Sequence, residues 1–146
     1  MPLHLIKLSV GSESIRDHED WVKEKLAQKR KAGEKKPEYM HRTRMVPRRI
    51  EEVLDGGSMY WVIKGQIAAR QEITDIRPFV DGEGVSRCHI VMAPRMIPVV
   101  PRPHRAFQGW RYLADHEKPQ DLATGRGGMA KMPEPLRREL SELGLL

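Results

Sequence analysis

Gly57-Ser58-Met59-Tyr60-Trp61-Val62-Ile63-Lys64-Gly65 is the stretch whose reading decides the fold. Aromatic and β-branched residues crowd between glycines, so residues 58–64 read as a β-strand. Downstream, residues 67–76 predict a second strand and 85–92 a third, joined through the turn Asp81-Gly82-Glu83-Gly84. Residues 97–103 carry three prolines and fit only an edge strand or a polyproline-like stretch. Residues 106–113 predict a further extended element, interrupted at Gln108-Gly109.

Upstream of the deciding strand, Pro47 stands in a first helical turn, and Val46, Ile50, Val53 and Leu54 share a face until Asp55-Gly56-Gly57 ends a short helix. Residues 39–46 predict an extended segment. At the N-terminus, Leu3, Leu5, Ile6, Leu8 and Val10 make a strand with little polar face, placed inside a sheet. Ser14, with Asp17 three residues on, caps a helix that runs to about residue 31 and buries Ile15, Val22 and Leu26, with Trp21 at the edge of the stripe. Residues 115–133 predict a mobile surface loop. Leu136, Leu140 and Leu143 predict a helix over 134–143. Strands and helices follow in no βαβ rhythm, and 146 residues make one domain. The expected class is α+β, a small curled, mostly antiparallel sheet or barrel with about three packed helices.

Charge is unevenly distributed. Lys and Arg outnumber Asp and Glu by 9 to 7 over residues 1–38 and by 12 to 7 over 39–113, whereas 114–146 holds 5 against 6. Eleven of the twelve central cations are Arg, whose planar fork suits phosphate or carboxylate. The longest apolar runs are far shorter than the ~20 residues of a membrane span. The start has no leader pattern, and Cys88 is the lone cysteine, so a reducing, cytoplasmic setting is expected.

Most chemical motifs dissolve on inspection. Cys88 and His89 are strand neighbours and point to opposite faces, which rules out a nucleophile-base pair between them. Ser58 lacks a Gly-x-Ser-x-Gly elbow. The histidines show no paired metal-ligand spacing, and neither metal nor cofactor is expected. Gly125-Arg126-Gly127-Gly128 lacks the strand-to-helix context of a phosphate loop.

Arg and aromatic residues remain interleaved. Arg42 and Arg44, alternating about Thr43, face one side of an extended segment. With Arg49, Arg102, Arg105 and Arg111 they form the expected phosphate-binding set, and Trp110, Tyr112, Gln108 and Tyr60 the expected base-stacking or pocket set. The bland reading gives these arginines to structural ion pairs and the aromatics to the core.

Long strings carry a resemblance: His41-Arg42-Thr43-Arg44-Met45, Leu54-Asp55-Gly56-Gly57-Ser58, Pro101-Arg102-Pro103, and Arg105-Ala106-Phe107-Gln108-Gly109-Trp110-Arg111-Tyr112-Leu113. Along nearly its whole length the chain resembles an alphaproteobacterial domain-of-unknown-function family, family 1489. The resemblance implies a bacterial cytoplasmic setting and no mechanism. Residues 48–76 also resemble, as a pattern of elements, the PUA-like barrels of the ASCH and EVE types. The expected function is a noncatalytic RNA- or nucleotide-binding module with single-stranded RNA or a nucleotide as partner. Alternatives are an enzyme acting on a small phosphorylated or carboxylated ligand, using the Arg cluster as clamp and His41 or His104 as acid/base, and a protein-interaction module.

Overall fold

The computed structural model describes residues 2–122. Their elements run β1 (Leu3–Leu8), α1 (Ile15–Lys31), β2 (Tyr39–Thr43), α2 (Ile50–Leu54), β3 (Ser58–Ile63), β4 (Gln66–Val80), β5 (Ser86–Met92), β6 (Ile97–Pro103) and β7 (Trp110–Ala114), with a 3-10 turn at Asp115–Glu117. The deciding strand is β3, and all six of its residues are buried. It lies between β1 and β4, with apolar groups on both sides. Leu5, Met59, Trp61 and Ile63 join a main core that holds Ile15 and Val22 of α1 and Ile90 of β5. Ile6, Tyr60, Val62, Ile67 and Val99 form a second cluster.

The seven strands follow the order β2-β5-β4-β3-β1-β7, with β6 beside β4. All pairings are antiparallel except β1 with β3, where Leu5 stands opposite Met59 and Leu8 opposite Val62. A parallel pair needs a long crossover. Here it contains α1, β2 and α2. β4 is the spine: its first half pairs with β3 and β6, its second half with β5. Among the described strands the proline-rich β6 pairs with β4 alone, and its other side meets only the isolated bridge of Val99 with Asp121, a placement that its prolines tolerate.

The sheet is open. β2 and β7 end its hydrogen-bonded path and make no ladder with each other. It curls enough that the Trp110 indole N–H, on β7, donates to the carbonyl of Met45, two residues past β2, at 2.6 Å. Closure therefore rests on side chains and α2 rather than on a strand pair, which corrects the barrel alternative.

The described residues hold two α-helices, not about three; the helix expected over 134–143 lies outside them. Of the loop expected over 115–133, the first part is tied down. Asp121 forms a β-bridge with Val99, and the Leu122 N–H donates to the Pro98 carbonyl at 3.0 Å. The rest lies outside the described residues. Val10, expected in the first strand, falls beyond it and is 80% exposed.

α1 begins as its sequence dictates, with the Ser14 hydroxyl accepting from the Asp17 N–H at 3.1 Å. Gly57 sits where α2, β1 and β3 meet. A Cβ there would lie 2.2 Å from the Leu3 carbonyl oxygen and 2.3 Å from that of Val53. Gly57 cannot retreat from them without breaking its own pairing, since its N–H donates to the Val53 carbonyl and its carbonyl accepts from the Ile73 N–H. Gly57→Ala is therefore expected to cost about 3 kcal/mol or more in urea denaturation. Gly82→Ala, in open space without a positive φ, should stay within about 0.5 kcal/mol of wild type. Equal stability of the two variants would contradict the close approach.

Candidate functional site

Ser9 follows β1, His18 lies in the first turns of α1, and Gln71 stands in the middle of β4. All three are buried. Their hydrogen bonds leave one consistent proton assignment. The Gln71 amide nitrogen donates to the Ala93 carbonyl at 3.1 Å, which fixes the amide so that Oε1 points the other way. That oxygen accepts from the Trp61 indole N–H at 2.9 Å and lies 3.0 Å from His18 Nε2. Nε2 must therefore carry the imidazole proton. Nδ1 keeps its lone pair and accepts from the Ser9 hydroxyl at 2.9 Å. Burial lowers the His18 pKa, opposed in part by the bond to Gln71, and favours this neutral form.

Ser9 and His18 open onto a cavity of about 210 Å³, whose walls include Lys7, Trp21, Tyr39, His41 and Trp61. A second cavity, of about 160 Å³, shares Trp21, Tyr39 and His41 and adds Lys25, Lys29, Glu38 and Arg42. Together they form a cleft between α1 and β2. Trp21 stands at its mouth, 48% exposed, with the Lys25 ammonium 4.4 Å from its ring centre. Side chains alternate between the faces of a strand, so Tyr39 and His41 share one face of β2, whereas Arg42 leaves from the other, toward Phe79 and Asp81, and borders the cleft from its edge.

The cleft is positive. Lys7, Lys25, Lys29 and Arg42 line it, and the one carboxylate among its walls, Glu38, accepts from two Arg77 nitrogens at 2.9 and 3.1 Å. Those bonds hold Glu38 below the usual carboxylate range. His41 is pushed down to about 4 by burial, helped by Lys7 and His18. It is neutral at physiological pH. Burial also lowers the Lys7 pKa.

A third cavity, of about 360 Å³, has His4, Tyr60, Arg70 and Asp121 in its walls. Its charged groups already pair with one another. Arg70 grips both oxygens of Asp121 at 2.9 and 2.8 Å and reaches the Ser58 hydroxyl at 2.9 Å. His4 accepts the Ser58 N–H on Nδ1 at 3.0 Å and donates from Nε2 to Asp115 at 2.8 Å. Tyr60, expected to line a pocket, is buried here, its phenol pushed up to about 12 by burial. This cluster fastens the 3-10 turn to the sheet.

Among the described residues, no cavity brings the six expected phosphate-binding arginines together. Arg42 lines the cleft, 5.6 Å from the Phe79 ring and 3.7 Å from Asp81. Arg49 is bound to Glu52 at 2.5 and 2.6 Å and lies over Tyr112. Arg102 donates to the Glu117 carbonyl. Arg111 lies 4.6 Å from the Phe107 ring centre. Arg44, Arg105 and Gln108 are exposed, and none forms a side-chain hydrogen bond or ion pair among the described residues.

The expected stacking residues are also engaged internally. Trp110 is 5% exposed and belongs to the core. The space that Gly109 leaves beside it is filled by Met45, whose sulfur would lie 2.5 Å from a Cβ at 109. Tyr112 accepts the backbone N–H groups of Arg48 and Arg49 at 2.9 and 3.2 Å, closing the seam between α2 and β7.

The cleft's polar floor escaped the sequence reading, although signals existed. His18 lies on the apolar stripe of α1, between Ile15 and Val22, and Gln71 follows Ala69 and precedes Ile73 on a buried face of β4. A polar residue on an apolar face needs a partner. Among the described residues no group of three or more His, Cys, Asp or Glu could hold a metal ion, and no helix is long and apolar enough to cross a membrane.

Fold and cleft together define an α+β protein with a basic, aromatic-walled groove between its first helix and an edge strand. The chain belongs to the family described as protein of unknown function, DUF1489, whose model matches residues 5–146. No curated protein and no solved structure matches it.

The buried His4 and His18 and the partly buried His41 set a pH dependence. An unfolded His binds its proton near pH 6.5, whereas His41 does so at about 4 when folded, and the values for His4 and His18 are also lowered. Between those limits the unfolded chain holds more protons, so stability falls as pH falls. His41 alone should contribute a loss of about 2–3 kcal/mol from pH 6.5 to 4 in urea denaturation, and His41→Asn should flatten that segment. A flat wild-type profile would contradict the partly buried, neutral His41 imidazole.

Proposed function

We propose that the protein is a binding module for a nucleotide, free or within single-stranded RNA, and that the ligand sits in the cleft between α1 and β2. One observation carries this reading: a half-exposed indole, Trp21, stands at the mouth of a cavity whose rim holds Lys25, Lys29 and Arg42 and whose single acid is bound elsewhere. An aromatic face with cations beside it is the pairing that a base and its phosphate require. The Lys25 ammonium over the indole is mobile on its stem. It can move to a phosphate and leave the ring to a base.

The arginines beyond Arg42 take a lesser part. Arg44 and Arg105, exposed, extend the positive surface along which a strand of RNA would lie. A single nucleotide needs only the cleft.

Titration of nucleoside monophosphates and short single-stranded RNA, followed by tryptophan fluorescence and calorimetry, should show binding that Trp21→Ala weakens roughly tenfold to a hundredfold, the ~1–3 kcal/mol of one stacked base. Trp110→Phe should leave affinity unchanged. RNA binding should fall more steeply with salt than monophosphate binding. No heat and no quenching at low salt would end the nucleotide reading.

A further inference from the structure

We propose that Ser9 is a nucleophile with His18 as its general base, and that the cleft supports slow acyl transfer from an ester to Ser9 and then to water. This goes beyond the binding reading and does not depend on which ligand the cleft holds.

A nucleophilic serine needs a base with a bare nitrogen at hydrogen-bond distance and a third group that holds the base in that tautomer. Each requirement is met by a separate observation. His18 Nδ1 lies 2.9 Å from the Ser9 oxygen. Gln71 Oε1, 3.0 Å from Nε2, keeps the proton on the far nitrogen. Gln71 is itself locked, between the Trp61 N–H and the Ala93 carbonyl, so the amide cannot flip and present its NH₂ to the ring. A wrongly oriented amide at this place would force the proton onto Nδ1 and silence the base.

Access is the fourth observation. A hydrogen-bond chain that served only to fasten α1 to the sheet would need no opening beside the hydroxyl. Ser9 and His18, 6% and 3% exposed, both border the cavity of about 210 Å³. Its walls are apolar at Trp21 and Trp61 and positive at Lys7. An ester carbonyl at the floor would thus meet a hydroxyl, a base and a cation.

In the forward step the Ser9 oxygen bonds to the ester carbonyl carbon, its proton passes to His18 Nδ1, and the carbonyl electrons move onto oxygen beside the Lys7 ammonium. Collapse of that adduct breaks the bond to the alcohol, which leaves with the proton from Nδ1. Water then repeats the sequence on the acyl-serine, with Nδ1 taking and returning a proton, and releases the acid. Gln71 orients the imidazole without a negative charge, so the imidazolium is stabilised less than beside a carboxylate. Slow turnover is the consequence.

A fluorophosphonate probe tests the nucleophile directly, because the serine oxygen displaces fluoride from phosphorus and the proton leaves through the base. Intact mass and peptide mapping should place the phosphonyl group on Ser9. Its rate should rise with pH through a titration below 6.5, in line with the lowered His18 pKa, and then level off. Ser9→Ala should remain unlabelled with an unchanged circular dichroism spectrum, and His18→Asn should label at least about tenfold more slowly. No label on Ser9, label only on neighbouring Ser12 or Ser14, or a rate on Ser9 that falls as pH rises would overturn the proposal. These criteria use wild-type protein alone and stand even if His18→Asn fails to fold.

Discussion

The buried amide of Gln71 is the constraint from which most of the molecule follows. It is fully enclosed, and an amide so placed must find partners for its oxygen and its nitrogen or cost the fold 1–3 kcal/mol for each group left unmatched. It finds them in three different places: β3 through Trp61, α1 through His18 and the segment after β5 through Ala93; Ser9, just past β1, joins the chain through the His18 ring. Apolar packing would bring α1 onto the sheet in many registers. The amide selects one. It also fixes the tautomer of His18, and through it the direction in which the Ser9 hydroxyl points.

That selection leaves a cleft rather than a sealed core. Trp21 lies on the edge of the apolar stripe of α1, so the register that buries His18 leaves the indole half outside, above Tyr39 and His41 of β2. The cations of α1 and Arg42 then face a space whose single carboxylate is already held by Arg77. By contrast, the Arg-rich surface over the α2–β7 seam is largely neutralised or spread out. Arg49 meets Glu52, Arg102 meets a carbonyl, and Arg111 covers Phe107. Both surfaces hold engaged cations, since Arg42 pairs with Asp81 and Lys29 donates to the Glu38 carbonyl; what distinguishes the cleft is a half-exposed indole beside a cavity.

What was legible in the sequence was local. The glycine-bounded apolar run of β3, the alternation of β5, the Ser14 cap and the Ile15/Val22/Leu26 stripe each carry their own period or end signal, and each appears in place. The parallel pairing of β1 with β3 had no local signal, because it forms across both helices and β2. The cleft depends on that pairing and on contacts between residues 9, 18 and 71, spaced far along the chain. The packing of Trp110 was illegible for the same reason. Gly109 next to an indole reads as an open approach, and only the return of Met45 across the curl of the sheet shows what fills it.

Amide and indole ¹H–¹⁵N chemical-shift mapping during titration with a nucleoside monophosphate is the most direct measurement of where this molecule binds. The cleft account predicts the largest shifts at the Trp21 indole and at the amides of Ser9, Lys25, Tyr39 and His41, with the Trp110 indole, hydrogen-bonded to Met45, unmoved. Shifts centred on Arg44, Gln108 and Tyr112 with a silent Trp21 would contradict it and return the site to the arginine surface.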